Sequence, residues 1–322
     1  MGFDRALESL GWSSFFDDQV ESDDAELVPA RIDAVHRGRM SGLTTGGKVR
    51  IGFEGRTDTG GYAVGDWVLI EAGSGIFRRL LDRKSLLQRA SDGKWPTQLV
   101  AANVDTLFIV AACNADFSPP RIERYLALAN EAGTDPVIVL TKADTAENAA
   151  EMGRQAEALQ RELPVLVLNG RTRAATEALM PWCGAGATVA LVGSSGVGKS
   201  TLVNGLIGEG AGARQETGDM AAGEAKGRHV TTSRSLHKIA GGGWVIDTPG
   251  MRSVYVKDIG QGIDTLFAEI TELAPECKFR NCTHDHEPGC AVRAAVKAGT
   301  IDADRLERWR KLQAESAPKA RW

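Results

Sequence analysis

The sequence predicts an α/β protein in three parts: a small all-β barrel, a parallel sheet covered by helices, and a mainly helical C-terminal unit tied by cysteines. Three observations carry this. Between about 28 and 82, short stretches of alternating apolar and polar residues are broken by glycine. From about 97, compact apolar runs alternate with longer helix-like segments. Beyond 257, three cysteines and a histidine crowd together between Cys277 and Cys290.

Residues 1–26 are acidic and polar, with Asp17-Asp18 and a second cluster from Glu21 to Asp24, and read as an arm or a short helix. From Val28 the runs LVPARIDAVHRGRM, KVRIGFEG and DWVLIEAG place Val, Ile, Phe and Trp at period two, the pattern of half-buried strands. About five such strands suit a small closed barrel of the OB type. Arg31, His36, Arg37, Arg39, Lys48 and Arg50 give it a basic side, which admits a nucleic-acid face or ordinary solvated surface. Then come DTLFIVAAC, DPVIVLT, LPVLVLN, ATVALVG and GGWVIDT, with helix-like segments such as PPRIERYLALANEAG between some of them. Continuous apolar strands alternating with helices indicate a parallel sheet buried on both faces. The final stretch DADRLERWRKLQAES reads as an exposed helix capped at Asp302 or Asp304. The expected divisions are an arm (1–27), the OB-like barrel (28–90), the sheet unit (91–256) and the C-terminal unit (257–322).

Composition excludes several classes. The chain has 322 residues, 43% hydrophobic and 25% charged, enough apolar surface to offset chain entropy. The longest apolar run, Thr106 to Cys113, is far short of the roughly 20 residues that span a bilayer. The first residues lack the basic and apolar regions of a signal peptide. Five cysteines, an odd number, fit a cytoplasmic metal protein better than a secreted disulfide framework. A net charge of −4 gives no global steering toward nucleic acid.

The strongest chemical signal is Gly193-Ser194-Ser195-Gly196-Val197-Gly198-Lys199-Ser200, which matches GxxxxGK[ST] after an apolar strand and leads into the helix-like run STLVNGLIG, which includes Thr201. Its glycines let successive amide N–H groups face phosphate oxygens, and the helix start adds positive charge. Lys199 reaches the β- and γ-phosphates and the Ser200 hydroxyl can ligate Mg²⁺. The base is read by Thr141-Lys142-Ala143-Asp144, at the end of another apolar run. A carboxylate at Asp144 offers two acceptors to the N1–H and N2–H₂ of guanine, whereas adenine would leave it unpaired. Asp247, ending the strand WVID, is placed to hold Mg²⁺ through water, and the Gly250 amide of the same DTPG motif to contact the γ-phosphate.

The glycine-rich stretch between these motifs reads as a nucleotide-ordered switch, with Thr231, or Thr232, as second hydroxyl ligand to Mg²⁺. Many GTPases orient the attacking water with a glutamine just after DxxG; here that place is Met251, and His229 is the nearest candidate. The base motif precedes the phosphate loop and DTPG comes last, so the motif order is permuted. The switch strand therefore runs directly into the C-terminal segment, and nucleotide state is expected to move that segment as a lever. Cys277, Cys282, His284 and Cys290 form a Cys₃His set that suits tetrahedral zinc in a structural site, with His286 as an alternative to His284. Cys113 and Cys183 read as packing residues, and Lys278 and Arg280 beside the ligands as an RNA contact.

Taken together these residues resemble the ribosome small-subunit-dependent GTPase A family (RsgA, also called YjeQ), a family of circularly permuted GTPases. The resemblance runs from about 28 to the end through an OB-like unit, TKAD, GSSGVGKS, GRHVTT, DTPG and the cysteine cluster, in family order. It implies a GTP hydrolase that binds the small ribosomal subunit and its rRNA, and the chain is expected to be a cytoplasmic monomer. It further implies action late in subunit maturation and faster GTP hydrolysis on the subunit than alone. It also places the family's histidine in ribosome-stimulated hydrolysis on His229. Three departures stand out. Thr141 replaces the usual Asn, which removes an amide that braces the phosphate loop. Val230 replaces the first Thr after the histidine. Asn169-Gly170 stands where Ser-Ala or Ser-Ser is common. Rival readings are a non-catalytic RNA-binding scaffold with GTP as a structural ligand, and a P-loop kinase with a zinc lid.

Overall fold

The computed structural model describes residues 5–36, 38–55, 57–89, 98–208, 234–247 and 258–317. Helices α1 (Arg5–Ser9) and α2 (Ser14–Asp17) lead into strands β1 (Leu27–His36), β2 (Arg39–Thr44), β3 (Gly47–Ile51), β4 (Trp67–Glu71) and β5 (Phe77–Leu80). β1 pairs antiparallel with both β2 and β4, β2 with β3, and β4 with β5. A parallel bridge between Gly52 and Ile76 joins the end of β3 to the start of β5, so the five strands close into a barrel. Its interior is filled by Ala30, Ile32, Met40, Ile51, Val68 and Ile70. These positions alternate along their strands, as period-two patterning requires.

The same alternation corrects one expectation. Ala30 and Ile32 point into the barrel, so Arg31 between them lies on the outer face, where the second unit packs. Arg31 is 1% exposed and belongs to no basic surface. The acidic N-terminal arm is also anchored. Leu10, Trp12 and Phe16 are buried, with Trp12 edge-on to Trp67 at 4.8 Å between ring centroids. Asp17 and Asp18 stay exposed. The charges of the arm were legible, while its apolar anchors were too sparse to show a period.

A hairpin of β6 (Leu86–Arg89) and β7 (Gln98–Ala102) follows the barrel. The chain then runs through β8 (Thr106–Ala112), α3 (Pro119–Ala132), β9 (Asp135–Thr141), α4 (Ala149–Glu157), β10 (Val165–Val167), α5 (Arg173–Leu179), β11 (Thr188–Val192), α6 (Lys199–Ile207), β12 (Ser235–Lys238) and β13 (Trp244–Asp247). The sheet order is β10-β9-β8-β11-β13-β12, parallel except for β12. Alternate residues of β8 feed different cores: Leu107, Ile109 and Ala111 one, Phe108, Val110 and Ala112 the other. That is the burial on both faces read from the apolar runs. β12, polar and four residues long, escaped the sequence reading. Its outer edge pairs with β1 at Ala34–Ser235, which makes barrel and central sheet one continuous sheet.

After β8 the chain builds outward to β9 and β10, then returns to lay β11 on the other side of β8. Between β8 and β11 the winding direction reverses, and in open α/β sheets ligands bind beyond the carboxyl ends of strands at such a point. The C-terminal part holds α7 (Gly260–Leu266), α8 (Ala268–Thr271), α9 (Ala291–Ala298) and α10 (Ala303–Ser316). Asp302 caps α10, its carboxylate accepting from the amides of Asp304 and Arg305. Among the described residues, no helix is long and apolar enough to cross a membrane.

Candidate functional site

The phosphate loop leaves β11 at the reversal point and ends in α6. Gly193, Gly196 and Gly198 take φ of 142°, 77° and 99°, backbone that L side chains rarely adopt. Gly193 is also fixed by contact, since a Cβ there would meet the Val110 carbonyl oxygen of β8 at 2.1 Å. Lys199, the first residue of α6, donates from Nζ to the carbonyls of Gly193 at 2.8 Å and Ser194 at 2.5 Å. The ammonium therefore already lies across the mouth of the loop. Ser200 and Thr201 follow it in the first helical turn, and Ser195 and Gly196 are exposed at the tip.

The base-reading segment reaches the same place from β9. Thr141, 1% exposed, donates from Oγ1 to the carbonyl of Val197 at 2.6 Å. The loss of bracing expected from Thr in place of Asn is thus corrected: the hydroxyl makes a brace of its own. Lys142 takes φ of 57° and turns the chain out of the strand. Ala143 follows, its amide donating to the Leu168 carbonyl at 3.3 Å, and the Asp144 carboxylate is exposed. Asp247 closes β13 opposite Ser235 of β12. On β12, Ser235 Oγ lies 2.7 Å from His237 Nε2. Burial lowers the His237 pKa against the upward pull of Asp247 and Asp33.

Sequence reasoning missed Arg121. From the first turn of α3 its Nη1 donates to Ser194 Oγ at 2.8 Å and to Asp116 Oδ1 at 2.5 Å. An arginine in a segment read only as helix-like gives no local signal of a partner 73 residues away.

The second site lies between α8 and α9. Ligand atoms of Cys277, Cys282, His284 and Cys290 fall within 4.8 Å of one another, the one such group among the described residues. Cys277 Sγ is 3.9 Å from Cys290 Sγ and 3.5 Å from His284 Nδ1, and His284 Nδ1 is 3.4 Å from Cys290 Sγ. Metal–sulfur bonds of about 2.3 Å in a tetrahedron give edges near 3.7 Å, so the group fits a tetrahedral ion and leaves no open position. His284 is 4% exposed and packs edge-on against Trp309, whereas His286 is exposed and outside the group. Glu287 ties the ligand loop together, accepting from the Thr283 amide and hydroxyl at 2.9 and 2.5 Å. These bonds hold its carboxyl well below the usual range. Cys113 and Cys183 are buried elsewhere.

Residues 80–257 match the RsgA GTPase family. The chain belongs to that family. A small ribosomal subunit biogenesis GTPase RsgA of Mesorhizobium japonicum is 63% identical over 311 residues, covering 97% of this chain and 90% of the relative. A second relative, small ribosomal subunit biogenesis GTPase RsgA 2 of Vibrio parahaemolyticus, is 45% identical over 97% of this chain and 86% of its own length. The crystal structure of YjeQ from Thermotoga maritima superposes with a TM-score of 0.66 at 25% identity, covering 90% of this chain and 98% of that one. The fold is also that of YloQ, described as a circularly permuted GTPase, with a TM-score of 0.67 at 22% identity over 94% of this chain and all of the other. The family makes the chain a GTPase.

Of the residues singled out in the sequence, Thr141 and the loop from Gly193 to Thr201 come together at the carboxyl ends of β9 and β11. Asp247 ends β13, which is parallel to β11 and paired with it. His229, Val230, Thr231, Thr232, Gly250 and Met251 lie outside the described residues, as does Arg37 of the barrel's expected basic side.

Proposed function

We propose that the chain is a GTP hydrolase that binds the small ribosomal subunit and its rRNA and assists late subunit maturation. We further infer that the subunit stimulates its hydrolysis. The bond from the Thr141 hydroxyl to the Val197 carbonyl, 2.6 Å long, carries the reading. It ties the strand end that carries Asp144 to the loop that carries Lys199, as one guanine nucleotide bound by both would require. The relatives, named for small ribosomal subunit biogenesis, support the partner.

In this reading Thr141, Lys142, Ala143 and Asp144 hold guanine, and the residues from Gly193 to Thr201, with Gly250, hold the phosphates. Ser200, Thr231 and Asp247 would hold Mg²⁺, which when bound neutralises charge on the phosphate oxygens. Lys199 adds fixed positive charge there, and His229 orients the attacking water; catalysis is mainly positioning and electrostatics. The Cys₃His group takes one structural Zn²⁺, the borderline-soft ion its donors suit. The chain works as a cytoplasmic monomer, with an arm to 27, the OB-like barrel to 90, the GTPase unit to 256 and the zinc unit beyond.

GTP turnover with and without purified small subunits tests this. At least about tenfold stimulation is expected, lost in His229→Ala, with GTP bound more tightly than ATP. Turnover indifferent to both subunits and His229→Ala would leave an RNA-binding scaffold instead.

A further inference from the structure

Helix α3 carries side chains to two distant places. At its start, Arg121 holds the Ser194 hydroxyl at 2.8 Å while Asp116 holds Arg121. Ser194 is gripped from a second direction, because Lys199 Nζ donates to its carbonyl at 2.5 Å. The second residue of the phosphate loop is thus fixed through its side chain by α3 and through its backbone by the loop's own lysine. Further along α3, Glu123 accepts from Arg305 Nη1 at 2.7 Å and Arg308 Nε at 2.9 Å, both on α10. Arg124 donates to both carboxylate oxygens of Glu315 at 2.9 and 2.6 Å. Near the far end, Glu131 Oε2 accepts from the amide of Gly262 at 2.8 Å. Helix α7 lies so close that a Cβ on Gly262 would meet the Ala127 carbonyl oxygen at 2.1 Å.

We propose that Arg121 is a positioning residue of the phosphate loop, acting through Ser194, and that α3 couples occupancy of the loop to α7 and α10. The proposal rests on the GTPase reading and supplies a regulatory route within it. A phosphate cradle works by aiming successive amides at one anion, so the torsions around Ser194 are part of its geometry. Both contacts leave one nitrogen, Nη1, whose N–H bonds are fixed in the guanidinium plane, so a guanidinium anchored on Asp116 tolerates little movement of the hydroxyl it holds. Displacing the loop therefore displaces the first turn of α3, and a hydrogen-bonded helix of 14 residues transmits that displacement as a body. Coupling between binding sites is reciprocal. A partner that docks on α7 or α10 and shifts α3 alters nucleotide affinity, and nucleotide alters the C-terminal helices by the same factor. This route is separate from the lever expected through the segment after β13.

The test uses the full chain and a fluorescent non-hydrolysable GTP analogue, measuring affinity for wild type, Arg121→Ala, Arg121→Lys, Ser194→Ala and the Arg121→Ala/Ser194→Ala double variant. Each alanine variant is expected to weaken binding about 3–10-fold, with the double variant no weaker than the worse single one. Arg121→Lys, which keeps the charge without the planar guanidinium, recovers part of the loss. Hydrogen exchange over residues 303–316 is expected to slow when the analogue binds wild type, and to lose that response in Arg121→Ala. An Arg121→Ala effect of full size on the Ser194→Ala background overturns the positioning role. Analogue binding that leaves α10 exchange unchanged in wild type overturns the coupling. A wild-type chain that binds no guanine nucleotide overturns the GTPase reading itself, so the two failures are distinct.

Discussion

Two buried arginines join the central sheet to its neighbours, and they are satisfied in opposite ways. Arg305, at the C-terminal joint, sits between the carboxylates of Glu123 and Glu269 at 2.7 and 2.8 Å. It also donates to the carbonyls of Leu159 and Leu266 and covers the Phe267 ring at 4.0 Å. Arg31, at the barrel joint, has only neutral acceptors: the Leu10 carbonyl at 2.5 Å, the Thr188 hydroxyl at 2.6 Å and the Asn103 carbonyl at 3.5 Å. Its Nε is buried without a partner. Burial pulls the Arg31 pKa down to about 10, against the upward pull of Asp105. The first joint is an ion network and the second a clamp of dipoles around one charge. Removing a carboxylate from the network strands a buried cation, whereas removing the cation from the clamp strands only neutral groups.

The largest effect should therefore follow Glu123→Ala. It leaves Arg305 with the partly exposed Glu269 and strips Arg308 of its partner, and about 3–5 kcal/mol of stability should be lost in urea unfolding. Replacing Glu123 and Arg305 together by Met should restore most of that. A single-variant loss below about 1 kcal/mol would show that Glu269 alone suffices for Arg305.

Arg31→Met comes next, at about 1–3 kcal/mol, because the apolar replacement keeps volume while the Leu10 and Thr188 oxygens lose their donor. A loss equal to that of Glu123→Ala would erase the distinction between the joints. Thr141→Val touches neither joint and serves as a control inside the site. It removes the brace on Val197 without changing shape, so about 1 kcal/mol, or about fivefold in GTP affinity, should be lost in a nucleotide titration.

The smallest effect is a pH dependence confined to the barrel side, where His237 on β12 faces Asp33 and Lys48 of the barrel and Asp247 of β13. Burial keeps its pKa below 6.5 in the folded chain, so as pH falls the unfolded chain takes up the proton first. Stability should then decline as pH drops below about 6.5. His237→Gln should flatten that part of the curve, read as urea midpoints at pH about 7.5 and 5.5. An unchanged slope in the variant would remove His237 as its source.

The two joints also show what a sequence can and cannot announce. The phosphate loop, the apolar strands, the cap at Asp302 and the Cys₃His spacing depend on residues close together in the chain, so their pattern is local and was read. Arg31 was taken for barrel surface because alternation tells which face a residue occupies, not what packs on that face. Trp12 and Phe16 were hidden among acidic neighbours, since two anchors in a short arm make no period. Arg121 and Glu123 sit on a helix whose partners are 73 and 182 residues away. Thr141 was weighed by what its side chain lacks, whereas the 2.6 Å contact depends on how closely the loop approaches.

The single pairing of Ala34 with Ser235 has a consequence for synthesis. Translation makes the barrel first, yet the strand that covers this edge of β1 emerges some 200 residues later. At about 5–20 residues per second, the nascent chain carries that open edge for ~10–40 s. The nucleotide pocket proposed above waits on the same event, because Asp247 follows Ser235 by only twelve positions. A newborn chain thus acquires its docked barrel and the strand that carries Asp247 in one late step, when residues 1–247 of its 322 have left the exit tunnel.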